Sequence, residues 1–201
     1  MPRTGRCIRT GSFITFHSFL SRCMAARYSR LFCMWWLVLA GLLPGGFTRA
    51  APPKAATTAT VYVFLSDTCP ICQAATLTLR QLHATYAARG VQFVGVFPGT
   101  HVRPADIVLF QQQYALPFPL RPDEGQLLTR RFQARTTPEV VVAGPEGQVL
   151  YQGRIDDGYA ALGQRRTVVQ HQELRDALAA LTAGRRVAVA RTEAVGCLIN
   201  R

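Results

Sequence analysis

Val61-Tyr62-Val63-Phe64-Leu65-Ser66-Asp67-Thr68-Cys69-Pro70-Ile71-Cys72 is the stretch whose reading decides the fold. Its opening run is apolar, β-branched or aromatic without interruption, the pattern of a strand buried on both faces. From Pro70 onward, Ala74, Ala75, Leu77, Leu79, Leu82 and Tyr86 recur at roughly helical spacing, up to a stop at Arg89-Gly90. Two cysteines three positions apart therefore occupy a strand-to-helix junction. In the first turn of a helix that spacing sets both sulfurs on one side, within bridging distance. A thiolate at a helix mouth faces unpaired backbone N–H groups and the positive end of the helix dipole, which lowers its pKa. Cys69 reads as the attacking sulfur and Cys72, one turn in and more covered, as the resolving one. Pro70 suits the first helical position, where its missing N–H costs nothing.

C-x-x-C also serves zinc sites and c-type haem attachment. Gln73 follows Cys72 where haem attachment needs His. Placement between a buried strand and a helix favours a redox dithiol over a metal site, so no metal or cofactor is expected.

Residues 1–50 stand apart from this domain. Leu31–Leu43 is an apolar run of 13 residues behind Arg22, Arg27 and Arg30, followed by Pro44-Gly45-Gly46 and Thr48-Arg49-Ala50. A basic flank, a short apolar stretch, helix breakers and small residues describe a secretory signal cleaved after about Ala50. The run is too short for a comfortable membrane span, so a membrane is involved only through an uncleaved signal. Met24 offers an alternative start. Seven of the 23 Lys and Arg and none of the 11 acidic residues lie in this region, leaving 16 basic against 11 acidic, or +5, from an overall +12. That balance is mild, and without a basic stripe it excludes a nucleic-acid partner. Cys7, Cys23 and Cys33 leave with the signal, so Cys69, Cys72 and Cys197 remain in an exported, periplasmic or otherwise extracytoplasmic chain, where disulfides persist.

Residues 51–58 read as a Pro-containing linker, 59–184 as the domain and 185–201 as an extended tail carrying Cys197. Within the domain, strands are expected at 59–65 and 91–97, and helices at about 70–89, 104–114, 124–132 and 171–183. A short buried strand is expected around Phe118 and Leu120. A hairpin is expected from Glu139–Ala143 and Gln148–Gly153 about the turn Gly144-Pro145-Glu146-Gly147. This order predicts an α/β fold: a mixed central sheet with helices on both faces.

The order of elements, the dithiol after the first core strand and Thr137-Pro138 before a hairpin resemble the thioredoxin fold. The resemblance implies that Pro138 is cis, lies against Cys69 and Cys72 and shares in catalysis, with Thr137 and Pro70 contacting substrate. Residues 118–159 are similar to the redoxin branch of the alkyl hydroperoxide reductase and thiol-specific antioxidant superfamily. Tyr151, Gly153, Arg154, Ile155, Asp156 and Asp157 match a Y-x-G-R-I-D-D segment of its exported, peroxiredoxin-like members. Thr192, Glu193, Ala194, Gly196, Cys197 and Ile199 match their T-E-A-x-G-C-x-I ending. One departure stands out. Peroxiredoxins carry Pro seven residues before the reactive cysteine, and Tyr62 stands there.

Two functions follow. The first is an exported thiol–disulfide oxidoreductase acting on protein thiols or disulfides and recharged by a redox partner, with reduction of a peroxide by the same thiolate as its variant. The second is a Cu(I)-handling protein on the same fold, for which soft thiolates suit. The cysteine spacing and the lack of His near the hairpin favour the enzyme. Cys197 reads either as a buried structural thiol or as a third redox cysteine, with Gly196 a flexible, open neighbour. Arg154, Asp156 and Asp157 read as salt bridges and turn caps, and His83, His101 and His171 as surface residues.

Overall fold

Strand β1 (Ala59–Phe64) lies at the centre of a five-stranded sheet, and its composition explains why. Val61 and Val63 point to one face and Phe64 to the other, and all three are fully buried. On one side β1 runs parallel to β2 (Val91–Phe97), pairing Ala59 with Val91 and Phe64 with Val96. On the other it runs antiparallel to β5 (Glu139–Ala143), pairing Thr60 with Ala143 and Phe64 with Glu139. The edges are β3 (Leu120–Pro122), parallel to β2, and β6 (Val149–Gly153), antiparallel to β5, giving the order β3-β2-β1-β5-β6. The computed structural model describes residues 58–200. The expected signal at 1–50 and all but the last residue of the expected 51–58 linker lie outside them.

Helix α1 (Pro70–Tyr86) buries Ile71, Cys72, Leu79, Leu82 and Tyr86, and α4 (Glu173–Thr182) buries Leu174, Ala177 and Leu178. Together with Ile107 and Phe110 of α2 (Pro104–Gln113), these side chains form the main core with Val61 and Val63. A smaller cluster on the opposite face joins Phe64, Val96 and Val141 to Phe132 of α3 (Leu127–Phe132). Helices thus cover both faces of a mixed sheet, as expected.

Several boundaries differ for local reasons. α1 stops at Tyr86, and a 3-10 turn carries the chain to Gly90, whose φ of 84° ends the helix. The helix expected at 124–132 begins only at Leu127, because Gly125 (φ 60°) and Gln126 (φ 54°) are left-handed. Asp123 caps it, its carboxylate accepting from the N–H groups of Leu128 (3.0 Å) and Thr129 (2.8 Å). Phe118 is buried but precedes β3, stacking near Phe93 and His83. Three short strands were not expected: β4 (Thr136–Thr137) and the hairpin β7 (Tyr159–Ala161) with β8 (Gln164–Arg165). A fourth, β9 (Cys197–Leu198), lies in the tail.

Candidate active site

The loop from β1 to α1 delivers Cys69 to the helix N-cap, with extended backbone at φ −86° and ψ 114°, and Pro70 takes the first helical position. Leu65 N–H donates to the Val96 carbonyl (2.8 Å) and Gln73 Nε2 to the Asp67 carbonyl (2.9 Å), fixing both ends of the loop. Cys72 is fully buried, with its sulfur accepting from Ser66 N–H at 3.4 Å. Cys69, expected at an open helix mouth, is itself only 1% exposed.

What covers it comes from two distant parts of the chain. The Thr137–Pro138 bond is cis, and the Thr137 carbonyl lies 3.2 Å from Cys69 Sγ, which donates to it as a neutral thiol. From the tail, β9 pairs antiparallel with β4, placing Thr136 opposite Leu198 and Thr137 opposite Cys197. Cys197 Sγ donates to Cys69 Sγ at 2.6 Å. All three thiols are free. Sequence reading left Cys197 open between a structural thiol and a third redox cysteine; the fold sets it directly against Cys69.

Electrostatics then separate the three sulfurs. Cys69 is lowered to about 4, first by the thiol hydrogen bond from Cys72, with the bond from Cys197 and backbone N–H groups adding, while burial opposes. The Thr137 carbonyl also opposes, since an acceptor favours the S–H form. Cys72 is pushed far up, first by burial and then by its bond to the Cys69 sulfur. Cys197 is raised to about 11, again by burial first. Of the three sulfurs, only that of Cys69 is shifted toward the thiolate.

The supports of this cluster are residues that sequence reading gave no role or a different one. The Glu139 carboxylate accepts from Arg135 N–H (2.8 Å), Thr136 N–H (3.3 Å) and Gln152 Nε2 (2.7 Å), pinning the chain that enters the cis peptide. Gly196 is not an open neighbour. A Cβ there would lie 2.2 Å from the Thr137 carbonyl oxygen. Upstream, Thr192 closes a ring with the Y-x-G-R segment: its hydroxyl shares a 2.8 Å bond with Tyr151 Oη, Tyr151 Oη donates to the Arg154 carbonyl (2.7 Å), and Arg154 N–H donates to Thr192 Oγ1 (3.1 Å). Gly153, at φ 148°, leaves room for it, because a Cβ would meet Thr192 Oγ1 at 2.1 Å.

The other polar residues stand mostly where expected. Arg154 pairs with Glu173. Asp157 accepts from Gln170 N–H (2.8 Å) and His171 N–H (3.0 Å), and Asp156 from Gly158 N–H (2.9 Å), although this segment is a loop beyond β6 and not strand. His101 and His171 are exposed, but His83 is half-buried against Phe93 and Phe118, and that burial lowers its pKa. His101 lines a cavity of about 340 Å³ with Ser66, Thr68, Thr137 and Cys197. No group of three His, Cys, Asp or Glu side chains that could hold a metal ion occurs among the described residues. Tyr62, at the peroxiredoxin proline position, stacks on Phe132 at 5.1 Å in the smaller core.

A thiol at a helix N-cap backed by a second thiol, on a five-stranded sheet and beside a cis-proline loop, is the layout of a thioredoxin-like fold. The chain's family match is to AhpC/TSA, over residues 54–152. No curated protein sequence matches. Among solved structures, an uncharacterized conserved protein from Geobacillus kaustophilus superposes with a TM-score of 0.66 at 25% identity, covering 74% of this chain and 79% of its own. A hypothetical protein from Sinorhizobium meliloti gives 0.63 at 23% identity, over 71% and 79%. Both share the fold.

Proposed function

We propose that the chain is an exported thiol–disulfide oxidoreductase in which Cys69 is the nucleophile and Cys72 the resolving thiol. The observation that carries this is the environment of Cys69, an N-cap sulfur held as thiolate by donors converging on it. The Cys69 thiolate attacks a disulfide of a partner protein, forming a mixed disulfide and releasing one partner thiolate. Cys72 then gives up its proton and attacks Cys69 Sγ, which closes the Cys69–Cys72 bond and frees the second partner thiol. A separate redox protein returns the dithiol to its working state. Pro138 and Thr137 border the sulfur that the partner must reach, and Pro70 sets the helix start that activates it. Cys197 is a third redox cysteine. Export rests on the sequence of residues 1–50.

Reduction of a hydroperoxide by the same thiolate is the second reading, favoured by one observation: Cys69 is covered against large partners, while Thr137 and Cys197, the two residues that cover it, line a cavity of about 340 Å³ that suits a small one. Insulin reduction by the chain and by Cys69→Ser and Cys72→Ser variants tests the main reading. Loss of turnover in Cys69→Ser, with a trapped mixed disulfide in Cys72→Ser, is the expected result. Equal turnover in all three would refute it.

A further inference from the structure

The stretch from Ala190 to Asn200 is fastened along its whole length. Gln152 N–H donates to the Ala190 carbonyl (2.9 Å) and Thr192 N–H to the Gln152 carbonyl (3.0 Å), and Arg191 reaches the Gln152 side chain (2.8 Å). The Thr192 ring follows, then the β4–β9 pairing. Finally Ile199 N–H donates to the Arg135 carbonyl (2.9 Å) and Gln126 Nε2 to the Asn200 carbonyl (2.6 Å). These contacts hold Cys197 against Cys69. Cys72 is sealed in the core.

We propose that this segment is a displaceable cover in which Cys197 is the chain's own disulfide partner for Cys69, so that the size of the oxidant selects which thiol closes the bond. The inference rests on Cys69 being the nucleophile.

With a small hydroperoxide the cover stays in place. Cys69 thiolate attacks the terminal peroxide oxygen, the O–O bond breaks, and the departing alkoxide takes a proton to leave as alcohol or water. Cys69 is now a sulfenic acid. Cys197 sulfur attacks it, the S–S bond forms, the S–O bond breaks, and the Cys197 proton leaves with hydroxide as water. Two thiols have been oxidised to one disulfide and one peroxide reduced. Cys72, fully buried and held by Ser66 N–H, takes no part.

A polypeptide disulfide cannot reach the sulfur of a residue that is 1% exposed and covered by Cys197 of β9. It must first take the place of β9 against β4, which removes Cys197 from the site. The mixed disulfide is then resolved from behind by Cys72. One nucleophile therefore serves two resolving thiols.

The test is peptide mapping of the reduced full chain after reaction with hydrogen peroxide or with insulin, acid-quenched and alkylated, for the native sequence and for Cys72→Ser, Cys197→Ser and Thr192→Val. Peroxide is expected to give Cys69–Cys197 in the native chain and undiminished in Cys72→Ser. Insulin is expected to give Cys69–Cys72 in the native chain and in Cys197→Ser. Thr192 is a positioning residue, and its loss should move the two reactions oppositely: a roughly 5- to 30-fold faster reaction with insulin, about the population change from losing one to two ordinary hydrogen bonds, and a lower yield of Cys69–Cys197 with peroxide. A merely structural role would depress both. Cys69–Cys72 as the product of both oxidants, with Cys197 still alkylatable, overturns the proposal while leaving the dithiol reading intact. A Cys69 that reacts with neither oxidant in any variant overturns both.

Discussion

Replacing Gly196 by Ala is the sharpest perturbation of the covered thiol. The new Cβ would lie 2.2 Å from the Thr137 carbonyl oxygen and 2.6 Å from its carbon, whereas ordinary contact begins at 3.4 Å, so the two backbones must separate by about 1.2 Å. The Thr137 side is the stiffer one, since Glu139 pins the chain entering it and Pro138 continues into buried β5. The tail is therefore the part that retreats. Adding that retreat to the present 2.6 Å takes Cys197 to about 3.8 Å from Cys69, the far edge of hydrogen bonding between sulfurs.

The retreat also strains the Ile199–Arg135 bond. Losing one to two such bonds removes about 1–2 kcal/mol, or roughly a 5- to 30-fold rise in the undocked tail. The assay is alkylation of reduced Cys69 at pH 6 by a bulky maleimide and by iodoacetamide, read by mass spectrometry with a thermal melt alongside. The bulky reagent should speed up by that factor, iodoacetamide by much less, and the melt should stay cooperative. An unchanged bulky-reagent rate in a folded variant refutes the reasoning, because Gly196 would then have no part in seating the tail.

Further expectations follow from the same geometry. Because the Cys69 pKa is lowered to about 4, its thiolate is present above that pH and lost below it; its iodoacetamide rate should be flat from pH 8 to pH 5, where an ordinary thiol falls about tenfold per unit. A rate that falls continuously below pH 8 contradicts this. Cys197→Ala removes one donor from that thiolate, so the inflection should move to higher pH; movement to lower pH would assign the donor the wrong sign. Glu139→Ala strips the acceptor from two backbone N–H groups and Gln152, and should lower stability by about 2–4 kcal/mol in urea unfolding; a loss under 1 kcal/mol would show that water replaces it. The reduction potential decides the direction of electron flow, about −270 mV marking a reductant and about −120 mV an oxidant.

The sheet and its helices were legible because each announced itself locally. Val61–Phe64, Val91–Phe97 and Glu139–Ala143 are apolar runs with clear stops, and the order of strands and helices leaves little choice of topology. Cys69 was legible from its position between a strand and a helix. Its burial was not, because the cover is built by residues far away in sequence. Gly196 shows the difficulty well: a glycine beside a cysteine reads as freedom, whereas here it is demanded by the carbonyl of a residue nearly 60 positions earlier. Glu139 likewise reads as the polar start of a strand, and only the fold turns the preceding loop back onto its carboxylate. The start of α3 was misplaced because Gly125 and Gln126 adopt left-handed backbone inside an otherwise helical pattern.

The two sequence motifs that looked separate, Y-x-G-R and T-E-A-x-G-C, meet as one device, and its dimensions carry a consequence. Thr192 is fastened by Tyr151 and Arg154, five residues before Cys197. If β9 lifts while that ring holds, Cys197 can travel no further than about 17 Å from the clasp, at roughly 3.3 Å per residue. A thiol on so short a tether returns at an effective concentration on the order of millimolar. Under the proposed function a polypeptide disulfide therefore competes for Cys69 against an internal thiol that dilution cannot remove. Mass action alone favours the tail, and a partner succeeds through the contacts it makes along the exposed edge of β4. Selectivity among partners is then set at Thr136–Thr137, where β9 now sits, more than at the sulfur that does the chemistry.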